Sequence, residues 1–102
     1  MQIKYLEEWI TNGTEKLESE NIRVEHTLNY LGDKLEVGFS DILNNNAGSC
    51  ELLKNGTCDL MVINYKTDKT DFYQTLILKD VDELRMGLYN FLLKLKKIET
   101  NE

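Results

Sequence analysis

The chain has 102 residues, of which 41% are hydrophobic and 29% charged, and its net charge is -6. This balance is typical of one folded domain, and it excludes a disordered chain. The apolar runs are only a few residues long, which excludes a transmembrane helix. An acidic surface repels phosphate backbones and attracts basic proteins, so we expect no nucleic-acid or membrane partner. A charge of this size also serves simply to keep a small domain soluble.

The first segment has the spacing of an amphipathic helix. Ile3, Leu6, Ile10 and Leu17 recur at helical intervals. Gly13 weakens this helix by about 1 kcal/mol relative to alanine, so a break near it is one expectation. The same segment is too acidic and too polar for a secretory signal, and we therefore expect a cytoplasmic protein.

Five β-prone segments and a second helix follow. The alternation of apolar and polar residues predicts strands over residues 22–28, 35–39, 49–54, 57–65 and 71–78. Asp80 and Glu83 form a capping-box-like pattern ahead of an apolar helical stripe. Short connections favour an antiparallel meander. We therefore predict a single α+β domain over residues 1–102, in which a four- or five-stranded sheet carries both helices on one face. Residues 99–102 are expected to be a frayed tail.

The dipeptide Asn55-Gly56 is typical of a two-residue hairpin turn. That turn pairs Cys58 with Leu53 and places Cys50 on the opposite face of the sheet. The predicted geometry excludes a disulfide and indicates two free thiols in a reducing compartment.

The predicted strands have two apolar faces. One face, directed at the helices, would contain Leu53, Cys58, Leu60, Val62, Leu76 and Leu78. The other would contain Met61, Ile63, Tyr65, Tyr73 and Ile77, more apolar surface than a solvated face needs. This second face is either an interaction site, a set of scattered surface residues, or a face covered by a terminal helix.

The sequence lacks the usual signs of catalysis. Its one histidine, His26, alternates along the first strand with the apolar residues of that strand, so we expect it on the buried face, in the core. We find no metal-ligand cluster, phosphate loop or dinucleotide fingerprint. We therefore expect no enzyme activity, no catalytic residues, no cofactor and no metal. Glu7 and Glu8 are either solvated or in contact with a basic partner.

The run from Asn55 to Val62, the aromatic pair Phe72-Tyr73 and the final amphipathic helix together resemble the bacterial immunity proteins of the TriTu family. The opening helix with Tyr5 and Trp9, followed by an Asn-Ile-Arg-Val-Glu strand, is similar as well. The resemblance implies a small acidic α+β protein that binds and neutralises a cognate toxin protein, expected to be basic. It implies occlusion of the toxin rather than catalysis.

The alternation of residues along each strand, together with their charge, indicates which residues would contact the partner. The candidates on the second face are Asp59, Met61, Ile63, Tyr65 and Tyr73, with Glu7, Glu8 and Glu36 as an acidic rim. The alternative is a self-associating structural or adaptor module, in which the same face forms a homodimer.

Overall fold

The computed structural model describes residues 2–97 and shows an α+β fold. The elements are α1 (Gln2–Ser19), β1 (Ile22–Asn29), β2 (Lys34–Asp41), β3 (Asn46–Leu53), β4 (Thr57–Asn64), β5 (Lys69–Ile77) and α2 (Val81–Leu95). The five strands form one antiparallel sheet in chain order. The predicted meander with N- and C-terminal helices is thus confirmed. The tail predicted at 99–102 lies outside the described residues. No helix within residues 2–97 is long and apolar enough to span a membrane.

Both helices pack on the same face of the sheet and share one core. The buried helical residues are Ile3, Leu6, Ile10 and Leu17 from α1, and Leu84, Leu88, Phe91 and Leu95 from α2. Phe91 meets Phe39 of β2 with ring centroids 5.5 Å apart. A Cβ built on Gly48 would lie 2.7 Å from the Phe91 ring, so glycine allows this close approach. The break expected near Gly13 is wrong, since α1 continues unbroken to Ser19.

The β3–β4 hairpin has a three-residue loop instead of the predicted two-residue turn. Gly56 has φ +95°, and its N–H donates to the carbonyl of Leu53 at 2.9 Å. A left-handed glycine at the third loop position is typical of such loops. The extra residue pairs Leu52 with Cys58 and shifts the register by one. Every β3 side chain therefore takes the face opposite to the predicted one.

This shift corrects two predictions. Leu53 points away from the helices, not toward them. Cys50 and Cys58 lie on the same buried face, with their Sγ atoms 3.9 Å apart, so the predicted placement on opposite faces is wrong. Both are free thiols, as expected.

A bulge in β1 corrects the placement of His26. Val24 pairs with Phe39, but His26 pairs with Gly38, which leaves Glu25 as the extra residue. The bulge moves His26 to the face remote from the helices, where its side chain is 47% exposed. His26 is therefore a surface residue and not a core residue.

Both ends of α2 are fixed by side chains. At the start, the Asp80 carboxylate accepts a hydrogen bond from the Glu83 N–H at 2.9 Å, which confirms the predicted cap. At the end, the buried Asn46 amide donates to the carbonyl of Leu95 at 2.8 Å. Asn64 in turn donates to the Asn46 side-chain oxygen at 3.3 Å. These amides satisfy a helix carbonyl that would otherwise lack a partner.

Candidate functional site: the outer sheet face

The sheet face turned away from the helices is called the outer face here. Its members come from all five strands, and alternation along each strand places them together. They include His26 from β1; Lys34 and Glu36 from β2; Ser49, Glu51 and Leu53 from β3; Asp59, Met61 and Ile63 from β4; and Tyr73, Thr75 and Ile77 from β5. No helix within residues 2–97 covers this face, because α1 and α2 both pack on the other one.

Three carboxylates cross the outer face as a continuous row. Glu36 lies directly opposite Glu51, and Glu51 lies directly opposite Asp59. We call these three residues the acidic row. Like charges at directly opposed positions destabilise a sheet, so this arrangement costs folding free energy. A row that costs stability in the free protein is a reason to look for a bound partner.

Each carboxylate of the acidic row has one polar neighbour. Lys34 Nζ lies 3.6 Å from Glu51, and His26 Nε2 lies 3.4 Å from Glu36. The Thr75 hydroxyl donates to Asp59 at 2.6 Å. These contacts hold the side chains in place, but Lys34 supplies the one permanent positive charge among them. The row as a whole therefore remains negative.

Apolar side chains lie directly beside the acidic row. Met61 faces Tyr73 across β4 and β5, and Tyr73 is 62% exposed. Ile77, on the other side of the row, is 70% exposed. Aromatic and methionine side chains are enriched at the centre of protein interfaces, where charged residues are depleted and form the rim instead.

The structure brings together most of the predicted contact residues, but not all of them. Asp59, Met61, Ile63, Tyr73 and Glu36 share the outer face. Three other candidates lie elsewhere. Tyr65 is exposed in the turn after β4, at the border of this face. Glu7 and Glu8 belong to α1 on the opposite side of the sheet, where Glu7 accepts a hydrogen bond from Asn29. Glu7 and Glu8 therefore do not form the predicted acidic rim around the outer face.

Glu51, the centre of the acidic row, was missed by the sequence reasoning. The predicted two-residue turn places Glu51 opposite Leu60, on the helix side of the sheet. The signal that could have corrected it is the glycine at the third loop position, which permits the longer loop.

A cleft between α1 and α2 is a second candidate surface. This cleft of about 360 Å³ has an apolar floor and is bordered by Trp9 and Tyr89. Two of its cations are paired, because Lys96 Nζ contacts Glu20 at 2.8 Å and Arg85 contacts Asp82, and Lys16 lines the cleft as well. The cleft therefore carries charges of both signs, whereas the acidic row carries one.

Comparison of the chain with protein-family models, with curated proteins and with solved structures gave no match. The arrangement must therefore be interpreted from its own chemistry. Residues 2–97 contain no cluster of three or more His, Cys, Asp or Glu side chains arranged to hold a metal ion. The outer face offers a row of negative charges beside partly exposed aromatic and apolar side chains, a combination suited to protein recognition.

Proposed function

We propose that this protein is an immunity protein, which binds a basic bacterial toxin domain through its outer face and neutralises it without catalysis. The acidic row beside Met61 and Tyr73 carries the proposal. A surface of this kind combines charge that speeds the encounter with apolar groups that stabilise the complex. The resemblance to the TriTu family supports the same function.

The proposed mechanism is occlusion. The acidic row attracts basic residues that the toxin uses to hold its own substrate, and the rigid sheet then covers them. Long-range attraction raises the association rate, which matters when a toxin must be captured before it acts. Tyr73, Ile77 and Met61 exclude water at the centre of the contact, and this desolvation slows dissociation. Cytoplasmic action fits this role, since the protein must meet the toxin inside the protected cell.

The test is co-expression with the product of the adjacent gene. We expect the wild-type chain to protect cells from that product and to co-purify with it. Glu51→Lys reverses the central charge of the acidic row and should abolish protection. Glu15→Lys is the matched control, because it makes the same charge change at an exposed position of α1, on the other side of the molecule.

Two results would overturn the proposal. One is a folded, expressed neighbouring product that the wild-type chain neither binds nor neutralises. The other is equal loss of protection for Glu15→Lys and Glu51→Lys, which would indicate a dependence on net charge and not on the outer face.

A further inference from the structure

The two edges of the sheet differ in how they are protected. β1, at one edge, contains a bulge and the charged residues Arg23 and Glu25. Bulges and charges are the usual devices that stop an edge strand from pairing with another chain. β5, at the other edge, has a bulge only near its beginning. Val62 of β4 pairs with Phe72, but the next residue, Ile63, pairs with Thr70. The seven residues from Phe72 to Leu78 contain no charge, no proline and no glycine.

The backbone of this segment is available for pairing. Leu78 N–H donates to the carbonyl of Gly56 at 2.9 Å, so the backbone groups of Leu78 point toward β4. Alternation along an antiparallel strand then directs the N–H and C=O groups of Tyr73, Thr75 and Ile77 away from β4. Within residues 2–97 no strand pairs with this edge.

Apolar side chains are exposed on both sides of the same edge. Tyr73 and Ile77 lie on the outer face. On the helix side, a groove of about 450 Å³ separates β5 from α2 and is bordered by Leu76 and by Met86, which is 72% exposed. An additional strand at this edge would cover both surfaces at once.

We propose that β5 pairs with β5 of a second copy of this chain, about a two-fold axis at Thr75, to give a continuous ten-stranded sheet. The segment is self-complementary in this register. Tyr73 lies opposite Ile77 of the second copy, and Gln74 lies opposite Leu76. Asp71, which precedes the uncharged segment, lies beside Lys79 of the second copy, which follows it. The pairing therefore sets Tyr73 against the apolar Ile77 on the outer face, places no charge opposite an apolar side chain, and joins opposite charges at both ends.

This dimer forms through the edge of the sheet, whereas the homodimer considered above forms through the outer face. It shares Tyr73 and Ile77 with the outer face, but it leaves the acidic row of each copy open and places the two rows on the same side of one sheet. It does not require the proposed toxin partner, because the contact is complete with two copies of this chain alone.

Sedimentation equilibrium of the full chain from about 1 to 500 µM, at physiological salt, tests the proposal. We expect a reversible monomer–dimer equilibrium. Tyr73→Lys or Ile77→Glu alone should weaken the dimer at least about tenfold, because each places a charge opposite an apolar side chain. The double variant with both changes places opposite charges across the two-fold axis and should restore the dimer to within about threefold of wild type.

Tyr65→Lys is the control for Tyr73→Lys. It makes the same tyrosine-to-lysine change at an exposed residue outside β5 and should not alter dimerisation. Circular dichroism of each variant confirms that it is folded. The proposal is overturned by a wild-type chain that stays monomeric throughout the range, by single variants that dimerise as wild type does, or by failure of the double variant to recover. Dimerisation lost with Glu51→Lys but not with Ile77→Glu would instead assign the contact to the outer face.

Discussion

Cys50 and Cys58 lie side by side in the core, with their Sγ atoms 3.9 Å apart, although they occupy different strands and diagonal positions of the sheet. The hydrogen bond to Cys58, together with burial, raises the pKa of the Cys50 thiol, whereas the same contact lowers the pKa of Cys58. Both side chains are buried, and a thiol that a reagent cannot reach does not react, whatever its pKa.

We therefore expect both cysteines to resist a thiol-specific reagent in the folded protein and to react when denaturant is added. Reaction should be at least about a hundredfold slower than in the unfolded chain, because the reagent must wait for the core to open. Ser49→Cys provides the control, since this neighbouring position lies on the outer face and should react readily. Native Cys50 and Cys58 that react as fast as the introduced thiol would contradict the packing described.

The surroundings of two glycines predict opposite effects on stability when each is replaced by alanine. Gly48→Ala should lower the free energy of unfolding by about 1–3 kcal/mol, because the added methyl group meets the Phe91 ring at 2.7 Å. Gly13→Ala should raise it by about 0.5–1 kcal/mol, because a Cβ there meets no atom within 4 Å and alanine favours a helix. Urea denaturation of both variants checks this difference in sign. Destabilisation by Gly13→Ala would contradict the open surroundings of that residue.

The acidic row predicts a gain in stability when one of its charges is removed. Asp59→Asn keeps an oxygen that can accept the Thr75 hydroxyl but removes the repulsion from Glu51. We expect an increase of about 0.2–1 kcal/mol at low ionic strength, which becomes smaller as salt screens the charges. Denaturation at two salt concentrations measures it, with Glu15→Gln as the control for loss of a negative charge remote from the row. Equal gains in both variants would show that the repulsion is general and not local to the row.

The ion pair between the helix ends predicts a pH dependence. The hydrogen bond from Lys96 to Glu20, 2.8 Å long, holds the pKa of the Glu20 carboxyl below its usual value. A lowered pKa in the folded state stabilises the protein above the unfolded value of about 4.3, and this contribution disappears as pH falls through the folded pKa.

Glu20→Gln should therefore lower the free energy of unfolding at pH 7 by less than about 1 kcal/mol, since the pair is partly exposed. The difference from wild type should shrink as pH falls below the unfolded value and vanish once the pH lies below the folded pKa. Thermal unfolding of the two proteins across the acidic range up to neutral pH checks this. A difference that does not shrink with falling pH would assign the effect of Glu20 to something other than its charge.

Local sequence patterns were sufficient to predict the order of the elements, because each strand alternates and each helix has a single apolar stripe. They also placed Met61, Ile63 and Tyr73 correctly, since these residues follow the regular phase of β4 and β5. The failures come from single inserted residues. One extra loop residue before Gly56 reversed the face of β3, and with it Cys50 and Glu51; one extra residue at Glu25 moved His26 out of the core. Such insertions are decided by packing and backbone geometry, and period-two alternation does not reveal them.

The outer face is proposed to be the functional surface. Measuring the loss of partner affinity when Tyr73 is replaced tests this proposal most directly. Calorimetric titration with the purified product of the adjacent gene would compare wild type, Tyr73→Ala and Tyr89→Ala. Tyr89 is exposed to a similar degree, 67% against 62%, but belongs to α2 on the other side of the molecule. We predict that Tyr73→Ala weakens binding by about 2 kcal/mol or more, roughly thirtyfold, while Tyr89→Ala has little effect. Unchanged affinity for a folded Tyr73→Ala variant, or a larger loss for Tyr89→Ala, would contradict the assignment of the outer face.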